Sequence, residues 1–97
     1  MSKLELTDLS QTSPMFGTSK IQLINGVGQG FNIPCRTCLV KPAKANTQDV
    51  FISARDYADG DEYPLPATDL PMPVTNTNQL HFFSSQLDAV VHIIWRL

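Results

Sequence analysis

Apolar and polar residues alternate with a period of two along most of the chain. Ile21 and Leu23 are separated by Gln22, and Leu80 and Phe82 are separated by His81. This period is typical of β-strands that bury one face. A helical period is nearly absent, so the pattern favours an all-β protein.

About seven short antiparallel strands are predicted, separated by turn signals. Their number and spacing predict a small β-sandwich, barrel or jelly roll. The strands are predicted at residues 21–23, 31–33, 36–40, 49–54, 74–75, 79–84 and 89–97. The last strand is apolar on both faces, which is typical of a strand that is central in its sheet or covered by an interface.

Turn residues refine this picture. Asn25-Gly26 predicts a hairpin turn, because both residues tolerate positive φ. The linker 41–48 is longer than a tight turn requires, so it is also compatible with a passage between two sheets. Within the long connection 55–73, prolines cannot donate to a central ladder and therefore predict edge strands or sheet corners. These prolines are Pro64, Pro66, Pro71 and Pro73.

The N-terminal segment has a different character from the rest. Residues 1–18 are predicted to form an arm, and residues 19–97 a single β domain, as the length of 97 residues favours. The arm contains five large apolar residues, which are Leu4, Leu6, Leu9, Met15 and Phe16. Three interpretations remain open: a frayed terminus, an arm that docks on a neighbouring subunit, or an additional strand of the same domain.

Composition limits the classes of partner. The net charge is −2, and the seven Lys and Arg residues are scattered along the sequence without a basic stripe. A nucleic-acid partner is therefore not expected. The longest apolar run, residues 89–97, is too short to span a bilayer, so no membrane partner is expected either. We expect synthesis in a cytoplasm, because no signal-like segment is visible.

The two cysteines form the motif Cys35-Arg36-Thr37-Cys38. This spacing is found in zinc sites and in thiol-exchange motifs. Here it opens a predicted strand, in which residues three apart point to opposite faces. We therefore expect two reduced cysteines that pack as small apolar residues. Cys35 and Cys38 remain weak metal candidates, with His81 and His92 as conceivable additional ligands.

Other candidate motifs do not combine into a reaction centre. The acidic segment 55–62 predicts a solvated loop, with a weak cation site as the alternative. The glycines of 26–30 lack the Lys-Ser/Thr ending of a phosphate-binding loop. Both histidines lie in apolar strand surroundings without an obvious nucleophile. The sequence therefore predicts no enzyme activity and no cofactor.

Several segments of the sequence resemble those of a group of small virion proteins of tailed bacteriophages. The resemblance covers about four-fifths of the chain, from residue 20 to residue 97. It is carried by Ala45-Asn46-Thr47, the strand 50–54, Pro64-Leu65-Pro66, the Asn-rich turn before Leu80, and the closing apolar strand 89–97. The chain departs from the group at Ala54, where glycine is frequent. It also departs at Ala67-Thr68-Asp69, which stands in place of a simple Pro-Gly turn.

This resemblance implies a β-rich structural protein of the virion. The implied role is a capsid decoration or cement protein that bridges neighbouring major capsid subunits, often as a trimer at local three-fold axes. It would lie on the capsid surface after synthesis in the host cytoplasm. The residues expected at its interfaces are Leu4, Leu6, Leu9, Met15, Phe16, Leu65, Leu70 and Met72.

Other functional classes remain open. The chain is also compatible with a protein of the head–tail junction, the tail or the fibre base. A third possibility is a non-viral ligand-binding β-domain, in which Trp95, Tyr57 or Tyr63 should line an exposed groove. The fourth possibility is a small metalloprotein that uses the two cysteines.

Overall fold

The fold is an open β-sandwich of two four-stranded antiparallel sheets. The structure, a computed structural model, describes residues 16–97. Its elements are β1 (Phe16–Gln22), β2 (Val27–Gln29), β3 (Thr37–Pro42), β4 (Val50–Ser53), β5 (Tyr63–Pro64), β6 (Leu70–Met72), a 3₁₀ turn (Thr77–Gln79), β7 (His81–Ser84) and β8 (Val90–Arg96). The all-β prediction is confirmed, in its sandwich form.

The strand order separates a first sheet from a second sheet. The first sheet has the order β1-β8-β3-β6, and the second has the order β2-β7-β4-β5. β8 pairs with β1 on one side and with β3 on the other. Two alternatives were predicted for the doubly apolar C-terminal strand, and the first, a central position in its sheet, is confirmed.

The core lies between the two sheets and is built from alternate residues of the central strands. In β8, Val91 and Ile93 are fully buried, whereas His92 and Ile94 between and beyond them are exposed. Phe82 of β7 faces them from the second sheet and is also fully buried. This period-two burial is the property that made the strands recognisable in the sequence.

Asn25-Gly26 forms a tight turn, as predicted. Both residues have positive φ, 54° and 79°. The flanking Ile24 and Val27 exchange two backbone hydrogen bonds of 2.9 and 3.1 Å. However, β1 continues into the first sheet and β2 into the second, so the turn connects the two sheets.

Prolines mark two of the four sheet edges. Pro64 lies in β5 and Pro71 in β6, and these two strands are the outer strands of their sheets. Proline lacks the N–H that a central strand must donate, so the edge prediction is confirmed. The linker after β3 passes from the first sheet to the second, where β4 begins, as its length suggested.

Asn46 holds that linker in place. Its Nδ2 donates to the Val90 carbonyl at 2.8 Å, and its Oδ1 accepts from the Val90 N–H at 3.0 Å. The side-chain amide thus pairs with the first residue of β8 as a neighbouring strand would. The Thr47 and Gln48 N–H groups both donate to Gln86 Oε1, at 2.6 and 3.2 Å.

A second polar cluster replaces the strand that was predicted at residues 31–33. This segment forms no strand, and Phe31 is exposed. The buried Thr77 hydroxyl donates to the Phe31 carbonyl, and the Thr77 N–H donates to the Ile33 carbonyl at 3.0 Å. Asn76 caps the 3₁₀ turn and accepts from the Ile33 N–H at 3.1 Å. The backbone groups of 31–33 are therefore satisfied by a turn instead of a ladder.

Two further boundaries differ from the sequence-based expectation. The predicted strand at 74–75 is irregular, and the edge position is taken by β6. The predicted arm of residues 1–18 is too long, because β1 begins at Phe16 and pairs with β8 from that residue onward. Leu4, Leu6, Leu9 and Met15 lie outside the described residues.

Candidate functional site

An apolar groove runs between the edges of the two sheets. It has a volume of about 860 Å³. β6 forms one wall, and the end of β4 with β5 forms the other. The lining residues are Ile52, Ser53, Ala54, Arg55, Asp61, Tyr63, Leu70, Met72, Pro73, Val74, Thr75, Gln79 and Leu80. We call it the edge groove.

The floor of the edge groove includes two residues that the sequence placed at an interface. Leu70 and Met72 lie opposite Val40 and Cys38 in the β3–β6 ladder. Since Val40 and Cys38 are core residues, Leu70 and Met72 point to the same inner side of the sheet. β6 is an edge strand, so both side chains remain only partly buried and contribute to the groove.

Leu65 was also expected at an interface, and that expectation is wrong. Its side chain is only 8% exposed and belongs to the core cluster. The Leu65 N–H donates to the Val50 carbonyl at 2.8 Å, just beyond β5. This bond extends the β4–β5 pairing and turns Leu65 into the sandwich.

The acidic loop 55–62 borders the edge groove. Arg55 forms an ion pair with Asp59, four residues later. Glu62 Oε2 accepts from the backbone N–H groups of Asp59 at 2.6 Å and of Gly60 at 3.1 Å. Asp59 Oδ1 accepts from the Asp61 N–H at 3.0 Å, and this bond is the main reason that the pKa of Asp59 is lowered. The loop is thus organised by its own backbone donors.

Aromatic residues line two of the surface depressions. Tyr63 is 61% exposed and lines the edge groove, and Tyr57 is 58% exposed in the acidic loop. Trp95 lines a smaller depression of about 400 Å³. The other residues of that depression are Phe16, Thr37, Cys38, Leu39, Ile94 and Arg96.

The outer face of the first sheet has three rows of side chains, defined by the strand register. One row consists of Phe16, Arg96 and Thr37. The central row consists of Thr18, Ile94, Leu39 and Pro71. The third consists of Lys20, His92 and Lys41. Residues directly opposite each other in a ladder share one face, so these rows form a single surface. We call it the sheet face.

The sheet face therefore combines an apolar centre with cationic margins. Ile94 is 43% exposed and lies in the central row. Rows two residues apart along a strand are separated by about 7 Å. Lys20 and Lys41 flank the central row on one side, and Arg96 flanks it on the other. The strands β1, β3, β6 and β8 contain no acidic residue.

The cysteine motif has the chemistry of buried thiols. Cys38 is 2% exposed and Cys35 is partly buried, and both are free. Burial raises the pKa of the Cys38 thiol to about 11, with a further contribution from Cys35. Burial also raises the pKa of Cys35, whose Sγ donates to the Val74 carbonyl at 3.4 Å. Neutral thiols are poor nucleophiles and poor metal ligands.

The histidines lie apart from the cysteines. His92 pairs with Lys20 and Lys41 on the sheet face, and His81 lies in β7 of the second sheet. Within residues 16–97, no three His, Cys, Asp or Glu side chains are grouped so that they could hold a metal ion.

Sequence reasoning missed the polar side chains that shape these surfaces. Asn46 and Asn76 were assigned to a linker and a turn, and Gln86 was given no role, although each accepts or donates bonds across more than thirty residues of sequence. Their frequency in turns was visible, but their distant partners depend on the fold. The three cationic residues of the sheet face were likewise scattered in sequence and are assembled by strand pairing.

Comparisons with known proteins identify no relative. A scan against protein-family models and searches of curated proteins and of solved structures find no match to the chain. In the part of the chain from residue 16 to residue 97, no helix is long and apolar enough to cross a membrane.

Proposed function

We propose that this protein is a structural component of a tailed-phage virion, and specifically a capsid decoration protein that bridges neighbouring major capsid subunits. The observation that carries the proposal is the edge groove, with Leu70 and Met72 on its floor. A clamp between capsid subunits needs apolar contacts presented by a rigid scaffold. The groove offers them between two sheet edges that are fixed by ladder pairing and by the core.

The resemblance to small virion proteins is the second line of support for the proposal. The segment Ala45-Asn46-Thr47 lies in the linker between the sheets. There the side-chain amide of Asn46 forms hydrogen bonds with both the N–H and the carbonyl of Val90. Asn46 therefore serves the scaffold, which is consistent with a protein that acts through contacts. Exposed apolar side chains such as Phe16 and Ile24 provide further contact surface.

Binding to capsids tests the proposal. Leu70→Lys with Met72→Lys places two charges in the edge groove, whereas Leu87→Lys makes the same kind of change at an exposed apolar position outside the groove. We expect wild type and Leu87→Lys to co-sediment with expanded empty capsids of the encoding phage, and the groove variant to remain in the supernatant. Circular dichroism checks that each variant is folded. Wild-type protein that stays in the supernatant would contradict the capsid role.

The same sedimentation assay separates the alternatives within a virion. A protein of the head–tail junction, the tail or the fibre base would sediment with tails or with connector-bearing particles and would leave empty shells bare. Its copy number would follow the symmetry of the tail instead of that of the capsid.

A ligand-binding β-domain is the second candidate function, and Tyr63 is the observation that favours it. This exposed aromatic ring lines the edge groove together with Arg55 and Asp61. An aromatic wall with a few polar groups is typical of a small-molecule site. A soluble ligand that binds the isolated protein, and whose affinity is lost in Tyr63→Ala but kept in Tyr57→Ala, would favour this function over the capsid role.

A further inference from the structure

We infer that the sheet face is a docking site for the acidic loop 55–62 of a second copy of this chain. The inference names the contact that would hold together the trimer implied by the resemblance to virion proteins, and it rests on the proposed function in that respect alone. Binding to capsids is measured separately, so failure of the interface and failure of the capsid role are distinguishable.

Charge complementarity identifies the second copy as the occupant. The sheet face contributes three permanent cations, Lys20, Lys41 and Arg96. The loop contributes the four carboxylates of Asp56, Asp59, Asp61 and Glu62, of which Arg55 offsets one. The formal charges are therefore +3 and −3. Opposed surface charges of this kind steer association and exclude wrong orientations.

Shape and polarity complement each other as well. The loop presents the exposed ring of Tyr57 between its carboxylates. The sheet face presents an apolar depression lined by Ile94, Leu39 and Phe16, with Arg96 at its margin. An aromatic anchor in an apolar pocket surrounded by charge pairs is a common arrangement at the centre of protein interfaces. A phosphate backbone would be matched by the cations but would not use the apolar centre.

The contact is heterologous, because two different surfaces of the same chain meet. Such contacts form closed rings when the rotation between copies closes. A three-membered ring agrees with the trimer that the resemblance to virion proteins implies. The loop is linked to β4 and β5 in the second sheet, whereas the docking face belongs to the first sheet, so the two partner surfaces are on different layers.

Charge reversal with internal rescue tests the interface. Lys20→Glu with Lys41→Glu makes the face acidic, and Asp56→Lys with Asp61→Lys makes the loop basic. We expect each double variant to associate at least about a hundredfold more weakly than wild type, as measured by size exclusion with light scattering over a concentration series. The quadruple variant restores complementarity with the signs exchanged, so we expect it to regain the oligomer. Lys44→Glu, an exposed cation outside the sheet face, is the matched control and should associate like wild type.

Several results would overturn the inference. Wild type that is monomeric across the series would do so, and so would double variants that remain oligomeric. A quadruple variant that is folded but monomeric would also contradict loop docking. If monomeric wild type binds nucleic acid, with an affinity that falls with salt and is lost on Lys20→Glu and Lys41→Glu, the face is a phosphate-binding surface instead.

Discussion

Gly17 lies directly opposite Trp95 in the β1–β8 ladder, and the indole ring occupies the space that a Gly17 side chain would need. A Cβ at this position would overlap the six-membered part of the ring. The glycine therefore lets Trp95 lie flat across β1 at the end of the sandwich. This aromatic covering of a strand glycine helps to fix the register of the first sheet.

Gly17→Ala is expected to destabilise the protein by about 1–3 kcal/mol, because the ring or the strand must move. Urea denaturation followed by circular dichroism measures the free energy of unfolding. Thr18→Ala, at the adjacent exposed position, is the control and should change it by less than about 0.5 kcal/mol. In a double-mutant cycle, Trp95→Phe should reduce the cost of Gly17→Ala, since the smaller ring leaves space. Equal costs in both backgrounds would rule out the ring as the cause.

Asn46→Ala is expected to lower the free energy of unfolding by about 1–3 kcal/mol. The substitution leaves both the N–H and the carbonyl of Val90 without the side-chain partner that they have at 3.0 and 2.8 Å. Asn46→Asp keeps an acceptor for the Val90 N–H but places a carboxylate against the Val90 carbonyl, so it should be no better tolerated. Lys44→Ala, exposed in the same linker, is the matched control. If Asn46→Ala is as stable as the control Lys44→Ala, the Asn46 hydrogen bonds contribute nothing measurable to the free energy of unfolding.

The buried Cys38 thiol predicts a loss of stability at high pH. Its pKa is about 11 in the folded protein against a model-compound value of 9.0. The folded state favours the neutral thiol. The contribution of this thiol to the free energy of unfolding is therefore complete below pH 9 and is lost as the pH rises from about 9 to about 11. Stability should fall in this window by up to about 1.4 kcal/mol per pH unit. In Cys38→Ala this part of the slope should disappear, and an unchanged slope would show that other groups cause it.

The same thiol chemistry can be followed by modification. At neutral pH, native Cys38 should react with a thiol reagent only as fast as the protein unfolds, whereas Cys35, which is partly buried, should react sooner. Mass spectrometry after digestion assigns the modified residue.

Features that depend on one residue's own backbone were predictable from sequence. Asn25-Gly26 forms its turn because both residues tolerate positive φ. Pro64 and Pro71 lie on edge strands because they cannot donate to a neighbour. Neither property depends on what the rest of the chain does.

Features that depend on a distant partner were not predictable. Phe31 and Ile33 alternate with a polar residue as strand residues do, yet Thr77 and Asn76 satisfy their backbone and no strand forms. Leu65 follows a proline and was expected at an interface, but its bond to Val50 draws it into the core. Prediction of the cationic margins of the sheet face would have required the strand order, in which β8 separates β1 from β3.

Particle fractionation tests most directly whether this protein is part of a phage capsid. Purified virions are dissociated, heads and tails are separated on a gradient, and the copy number of the protein relative to the major capsid protein is measured by quantitative mass spectrometry. We expect the protein in the head fraction at a fixed ratio to the major capsid protein. Protein found only with tails, or absent from purified particles, would contradict the capsid role.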